Sequence, residues 1–256
     1  MTKNICLITT FHDPIGDKSI IFLKKQIKTI QRIFDEIVIG LTDQTNDIFF
    51  QFFKENQIKF IKAKSGFGSK TKRIILKESL KSSSDLFFSI DLDRLLFWLE
   101  HFPQELEDVL TKIKEDEQNQ FWPLGRTRKA FLTHPKHQQK PETRTNEVLS
   151  KEIGKTLDVT TGCCVFTRKI AQLINQYAQG ENSGVSDIEW PMIARLFGGA
   201  RIKPIRVNGL AYETEYIFGE NRSSNPKGAY GYSRGKLADD SIVMIEKVKK
   251  YWLSKK

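Results

Sequence analysis

The chain has 256 residues, 39% of them hydrophobic, which is enough to bury a substantial core and fits one large domain or two small ones. Its net charge of +10 favours anionic partners (nucleotide phosphates, nucleic acid or an anionic membrane face) without choosing among them. No uncharged apolar run approaches the roughly 20 residues of a membrane span, no cleavage site follows the apolar stretch after Lys3, and three cysteines are too few for a disulfide framework, so a reduced, cytoplasmic protein is expected.

Residues 4–10 are an apolar run rich in Ile and Thr, which predicts a buried strand, and His12-Asp13-Pro14-Ile15-Gly16 follows as a turn. Ile20, Leu23, Ile27, Ile30 and Phe34 recur at helical spacing and predict a helix over 19–34. A strand over 37–41, a polar stretch over 42–47, a helix beginning over 48–53 and a strand over 58–63 come next. After a Gly-containing loop, a helix over 72–80 has Ile75, Leu76 and Leu80 on one side. Residues 86–90 are a fourth strand, with Asp91 at its C-terminal end.

The second half is less regular. A helical stretch over 95–114 is interrupted at Pro103, and 120–124 reads as a strand. Residues 132–140, with His134, Pro135 and His137, read as a polar loop, and a short helix follows over 146–153. A strand over 158–166, a helix over 169–177 and a Gly/Ser/Asn loop over 179–186 precede a helix over 191–197 that Gly198-Gly199 ends. Pro204 places the strand over 202–207 at an edge or a bulge. Residues 218–237 read as a loop, and 241–252 as an amphipathic terminal helix.

This alternation predicts an α/β chain with a mostly parallel central sheet flanked by helices, read as one domain over 1–256. Its parts would be a regular half over 1–100, a less regular half over 101–237 and the C-terminal helix over 238–256. Ligands of such sheets bind beyond the carboxyl ends of the strands. Three polar clusters fall there: His12-Asp13, Asp43 to Asp47, and Asp91 to Arg94.

Asp91-Leu92-Asp93 is the sharpest candidate. In an extended segment, carboxylates two residues apart point the same way, and a cation between them relieves their repulsion. Oxygen-only ligation suits Mg²⁺ or Mn²⁺, which then bridges to substrate phosphates. A solvated turn is the alternative.

Ser89-Ile90-Asp91-Leu92-Asp93 resembles the D-x-D segment of GT-A fold glycosyltransferases, especially the family 2-like group. Leu41-Thr42-Asp43-Gln44-Thr45-Asn46-Asp47 is similar to that group's acidic loop after the second strand, one residue shorter here. The order of elements over roughly the first 100 residues matches as well. The resemblance implies the GT-A nucleotide-diphospho-sugar transferase fold, with a nucleotide-binding half over 1–100 and an acceptor-side half over 101–237, and a nucleotide-diphosphate sugar as donor. It further implies that Asp43 contacts the base or ribose, that Thr10 to His12 line the same pocket, and that Asp91 lies near the ribose and the metal. Asp93 would be the more direct metal ligand. An Asx-turn is the alternative for Asp43.

Gly66 to Arg73 joins a Gly-containing loop to a helix N-terminus, where backbone N–H groups with Lys70 or Arg73 could hold a diphosphate; a solvated basic face is the alternative. Pro191 would sit too deep in a helix begun at Ser186, so the helix is expected to start near Trp190, leaving Asp187 and Glu189 in the loop before it. The resemblance implies an acidic general base at that entrance, Asp187 first and Glu189 second, although the chain has Ser-Asp where the group shows Glu-Asp. Gly162 could admit a sugar closely. There is no His after His137 to complete a metal site as many GT-A enzymes do, so water, phosphate oxygens or Glu213 would substitute. Arg126 beside Trp122 could clamp phosphate, but a surface Arg with a structural Trp is the commoner situation. Glu220 to Arg222 and Tyr230 to Arg234 could form a lid.

The expected function is therefore a metal-dependent, non-processive glycosyltransferase acting on a hydroxyl acceptor. A sugar-phosphate nucleotidyltransferase is disfavoured because Thr9 to Pro14 lacks the Gly-rich loop of that class. A non-catalytic nucleotide- or nucleic-acid-binding protein is the other alternative, but no nucleic-acid module is present and nucleic acid is not expected as a partner. The terminal helix is expected to dock on the domain, with peripheral contact to an anionic membrane as its alternative. No residue pattern indicates an oligomeric state.

Overall fold

The computed structural model describes residues 3–182, 184–219 and 229–255. Its first part runs β1 (Ile5–Phe11), α1 (Ser19–Ile33), β2 (Glu36–Thr42), α2 (Asp47–Glu55), β3 (Lys59–Ala63), α3 (Gly68–Ser79) and β4 (Leu86–Asp91). These four strands are parallel, with β1 between β2 and β4. Cys6, Ile8 and Phe87 face one hydrophobic cluster, and Ile5, Leu7, Phe88 and Ile90 face the other. A sheet covered on both faces needs apolar residues at every position, which is why these strands read as runs rather than as alternation.

The second part adds α4 (Leu92–His101), α5 (Pro103–Glu115), β5 (Phe121–Arg126), α6 (Arg128–Leu132), α7 (Lys136–Ile153), β6 (Cys164–Thr167), α8 (Arg168–Tyr177), α9 (Ser186–Leu196), β7 (Ile205–Val207), α10 (Thr214–Phe218) and α11 (Ala229–Leu253). Among the described residues the sheet has seven strands in the order β3-β2-β1-β4-β6-β5-β7, and β6 is antiparallel to both neighbours. Helices α1, α2, α4 and α5 bury their apolar stripes on one face; α3, α7, α8, α9 and α11 do so on the other. As Pro204 suggests, β7 lies at the sheet edge.

Several expectations are corrected. The polar stretch predicted as a loop over 132–140 enters α7, which keeps Pro141 inside it. Its inward residues include Gln138, Glu142, Thr145 and Asn146, so its helical period is polar and an apolar template does not register it. The strand predicted over 158–166 shrinks to β6, because 158–163 follows side-chain hydrogen bonds instead and turns at Gly162, where φ is +66°. The loop predicted to reach residue 237 gives way to α11 at Ala229. Met244, Ile245 and Val248 of α11 are buried in the cluster shared with α7 and α9, so its apolar face docks on the chain itself. Among the described residues, no helix is long and apolar enough to cross a membrane.

His134 is buried, not solvated as a loop residue would be, and its Nε2 lies 3.2 Å from the Leu210 carbonyl. Burial and the nearby positive charges of Arg126 and Arg94 push its pKa down to about 4. The folded state therefore holds a neutral ring while the unfolded chain binds a proton below about 6.5. Stability should be whole above pH 6.5 and fall on the order of 3 kcal/mol as pH drops to 4. Urea unfolding at pH 7.5 and pH 4.5 measures this, and His134→Gln should remove most of the difference.

Candidate active site

Two glycines let the site close. A Cβ at Gly40 of β2 would meet Thr71 Cγ2 of α3 at 2.6 Å, so the glycine allows α3 to lie tightly on the sheet. Lys72, next along, is on the inward face of α3 with Ser69, Ile75 and Leu76. Its Nζ reaches Asp91 Oδ1 at 3.3 Å and Asp187 Oδ1 at 3.7 Å. A Cβ at Gly162 would lie 3.2 Å from that Nζ and 3.4 Å from both Asp187 carboxylate oxygens. Gly162 thus admits the protein's own ion pair, where the sequence suggested a sugar.

Asp91 ends β4 opposite Thr10 of β1, and the Thr10 hydroxyl donates to Asp91 Oδ1 at 2.8 Å. The Lys72 side chain is 9% exposed and that of Asp91 35%, so the pair is closed on the protein side and open at the carboxylate. Asp93 is not in an extended segment as predicted: α4 starts at Leu92, which puts Asp93 in its first turn beside Arg94. Arg94 Nε lies 3.6 Å from Glu213 Oε1, and both side chains are buried.

Burial works to raise the Asp91 pKa, but Lys72, Arg94 and the Thr10 hydroxyl hold it below the ordinary range. Burial and the neighbouring charges of Glu213 and Asp91 push Asp93 up to about 7. Burial also holds Asp187 above the usual carboxylate range, although Lys72 opposes it. Lys72 itself stays charged: burial disfavours the ammonium, and Asp91 and Asp187 more than compensate. Four carboxylates (Asp91, Asp93, Asp187 and Glu213) against two cations (Lys72 and Arg94) leave formally two negative charges in excess.

At the ends of β1 and β2, His12 Nδ1 lies 2.6 Å from Thr42 Oγ1. Asp43 is exposed, and its Oδ1 accepts from the Ser65 hydroxyl at 2.7 Å and the Ser65 N–H at 2.9 Å, which hold its pKa low. These residues and Thr10 lie along one sheet edge with Asp91.

Other expected site residues are placed elsewhere. Helix α9 starts at Ser186 and keeps Pro191 inside, so Asp187 and Glu189 both lie in its first turn. Glu189 is buried away from the Lys72 pair: its carboxylate accepts from the Gln179 N–H at 2.5 Å and the Gly180 N–H at 3.0 Å. Arg73 Nη1 donates to the Ala178 carbonyl at 2.5 Å. The Lys70 N–H donates to the Glu181 carbonyl at 3.3 Å, and its half-exposed ammonium lies 3.7 Å from the Glu181 carboxylate. The start of α3 thus ties down the 178–186 segment, and Lys72 is the cation that meets the acids. Sequence reading missed Lys72, although it falls one turn before Ile75 and Leu76 on the apolar stripe, where a lysine needs a buried partner. Arg126 and Trp122 are both fully buried, neither a surface pair nor a clamp. Cys163 is buried with its thiol pushed well above its usual range, an inert side chain. The lid residues Glu220 to Arg222 lie outside the described residues, as do the side chains of Tyr230 to Arg234.

Two clefts meet at Asp187. One is lined by Lys72, Ser89, Gly162, Cys164 and Ser186 as well. The other has Glu142, Thr145, Thr160 and Ser241 in its walls.

Among the described residues, no three His, Cys, Asp or Glu side chains are grouped so as to hold a metal ion by themselves. The donor set nevertheless fits an ion shared with a ligand. Asp91 and Asp93 offer oxygen only, the formal excess of charge equals one divalent ion, and Mg²⁺ is commonly held by one or two carboxylates plus substrate phosphates. Glu213 Oε2 is buried with no hydrogen-bond partner, an orphan that a cation would satisfy.

No family model matches the chain, and no curated protein matches its sequence. Solved structures match it in shape. Glucosyl-3-phosphoglycerate synthase from Mycobacterium tuberculosis with uridine diphosphate has a TM-score of 0.61 at 13% identity, covering 96% of this chain and 80% of that one. The same enzyme with Mn²⁺, UDP-glucose and phosphoglyceric acid has a TM-score of 0.64 at 12% identity, covering 96% and 79%. A mycobacterial protein has a TM-score of 0.61 at 13% identity, covering 96% and 74%. At such identities the likeness shows the fold: this chain has the GT-A fold.

Proposed function

We propose that this chain, built on the GT-A fold, transfers a sugar from a nucleotide-diphosphate sugar to a hydroxyl acceptor with the help of Mg²⁺ or Mn²⁺. The observation that carries the reading is the Lys72 bridge between Asp91, at the end of β4, and Asp187, where two clefts meet. The neighbours solved with Mn²⁺ and UDP-glucose support the same class of donor.

Thr10, His12 and Asp43 line the nucleoside end. Asp91 and Asp93 hold the cation, which when bound neutralises charge on the departing diphosphate. Lys72 keeps Asp91 ionised, and its ammonium adds positive charge at the diphosphate end. Asp187, held on the wall of both clefts, accepts the proton of the acceptor hydroxyl. The acceptor oxygen forms its bond to the anomeric carbon as the bond to the diphosphate oxygen breaks, and the diphosphate leaves with the electron pair. A base on the acceptor side implies inversion at the anomeric carbon, which NMR of the first-formed product reads directly.

A thermal-shift panel of UDP- and GDP-sugars with and without Mn²⁺ tests the reading. A donor at a hundredfold excess over Kd should add about 2.7 kcal/mol of apparent stability. Asp93→Ala should abolish the Mn²⁺-dependent part of that gain. An Asp93→Ala protein that responds to UDP and Mn²⁺ as the wild type does would count against metal binding here.

A further inference from the structure

The second cleft lies where α7, α9 and α11 meet, with Asp187 in its wall. Its sides are of two kinds. Pro141, Ile188 and Ala238 give an apolar side. Asp187, Glu142, Thr145, Thr160 and Ser241 give a polar one. Ligand sites commonly pair an apolar lining with a few placed polar groups. A sugar or polyol matches both sides, with C–H surface for the first and hydroxyls for the second.

The polar side is chiefly one of acceptors. An ionised carboxylate can only accept. The Thr145 hydroxyl gives its proton to the Pro141 carbonyl at 3.1 Å, which leaves its oxygen to accept. The Thr160 hydroxyl oxygen already meets the Arg126 guanidinium at 2.9 Å and the Asn146 amide at 3.2 Å. Such a wall calls for a ligand that brings donors.

Charge selects in the same direction. Among the described residues, no lysine or arginine lines this cleft. The Arg126 side chain is fully buried and is held by Asp158 at 2.6 Å and Glu142 at 2.7 Å. Lys72 is on the wall of the other cleft. Arg144, next to Thr145, is exposed and turned to Asp239 at 2.9 Å. A phosphate ester or carboxylic acid in the cleft would meet two carboxylates and no cation, and like charges brought together oppose binding. A fully ionised phosphate also brings no proton to donate. We infer that the acceptor is an uncharged polyhydroxyl compound, a sugar or polyol, seated in the cleft between α7 and α11, and that Glu142 determines specificity by excluding acceptors that carry phosphate or carboxylate there. This assignment rests on the transferase reading above and narrows its hydroxyl acceptor to one chemical class. Glu142 then has two tasks: its Oε2 anchors Arg126, and its charge is felt in the cleft.

Ligand-observed NMR on protein saturated with UDP and Mg²⁺, which is diamagnetic, tests it without an activity assay. Glucose, mannose and glycerol are each compared with their own phosphate ester. At least one neutral member should bind, and its ester should bind about tenfold more weakly or worse. Glu142→Gln keeps the shape of the side chain and removes its charge, so the preference for the neutral member should shrink by roughly tenfold. A merely structural partner of Arg126 would leave that ratio unmoved. Esters that bind as tightly as their parents, or a panel in which no neutral member binds, would overturn the assignment while leaving the transferase reading standing. An unchanged ratio in Glu142→Gln would overturn the role given to Glu142. If Glu142→Gln does not fold, the wild-type panel decides. Protein that binds no UDP in the presence of Mg²⁺ or Mn²⁺ would instead remove the transferase reading itself.

Discussion

Asp187→Asn is expected to lower turnover by roughly 10²–10⁴-fold while donor affinity changes little. The substitution is isosteric, and the amide oxygen can still accept the Ser186 hydroxyl that lies 3.2 Å from Oδ1. What it removes is the oxygen that takes the acceptor's proton. The setting suits that task. The side chain is 13% exposed, burial raises its proton affinity, and Lys72 at 3.7 Å keeps it from being neutralised outright. Burial of this kind is how a carboxylate becomes a stronger base than it is in water. Steady-state kinetics with calorimetry of the donor separate the two effects. A normal kcat in Asp187→Asn, or a product of retained configuration, would place the chemistry elsewhere.

Asp158→Asn is expected to destabilise the fold by about 3–5 kcal/mol, the usual cost of removing one partner from a buried ion pair. For a chain of this size that is roughly 6–20 °C in melting temperature. Arg126 is fully buried, and Asp158 also accepts the Arg126 N–H at 2.8 Å and the Asn146 side-chain amide at 2.7 Å. Asn146 in turn accepts the Val159 N–H at 2.9 Å. The network therefore holds the 158–163 segment, and with it Gly162 against Lys72 and Asp187. The variant should lose donor-dependent stabilisation as well as stability. A fall of less than about 1 kcal/mol in calorimetry would mean that Arg126 finds other partners or water.

The placement of one group of candidate residues at the carboxyl ends of parallel strands is legible in the sequence. Thr10, Asp43 and Asp91 lie at strand ends, and strand ends follow from local apolar runs. The errors cluster where tertiary context set the conformation. Asp93 was expected in an extended D-x-D segment, but the buried stripe of Leu92, Leu95, Leu96 and Leu99 draws α4 back to begin before it. The resemblance implies Glu189 as the second base and the Gly-containing helix start offers Arg73 to a diphosphate, but both satisfy loop backbone between Ala178 and Gly180. Charge type does not say whether a group faces a ligand or its own chain.

Apolar periodicity over residues 4–90 by itself determined the βαβ order and so which strand ends converge, because both faces of a parallel sheet must be buried. Only the tertiary structure decided which charges meet there. Lys72, Arg94 and Asp187 come from three separate helices and Glu213 from the residue before a fourth, and their pairing depends on close backbone approach at Gly40 and Gly162 and on polar burial in α7, long-range contacts that leave no periodic trace in the chain.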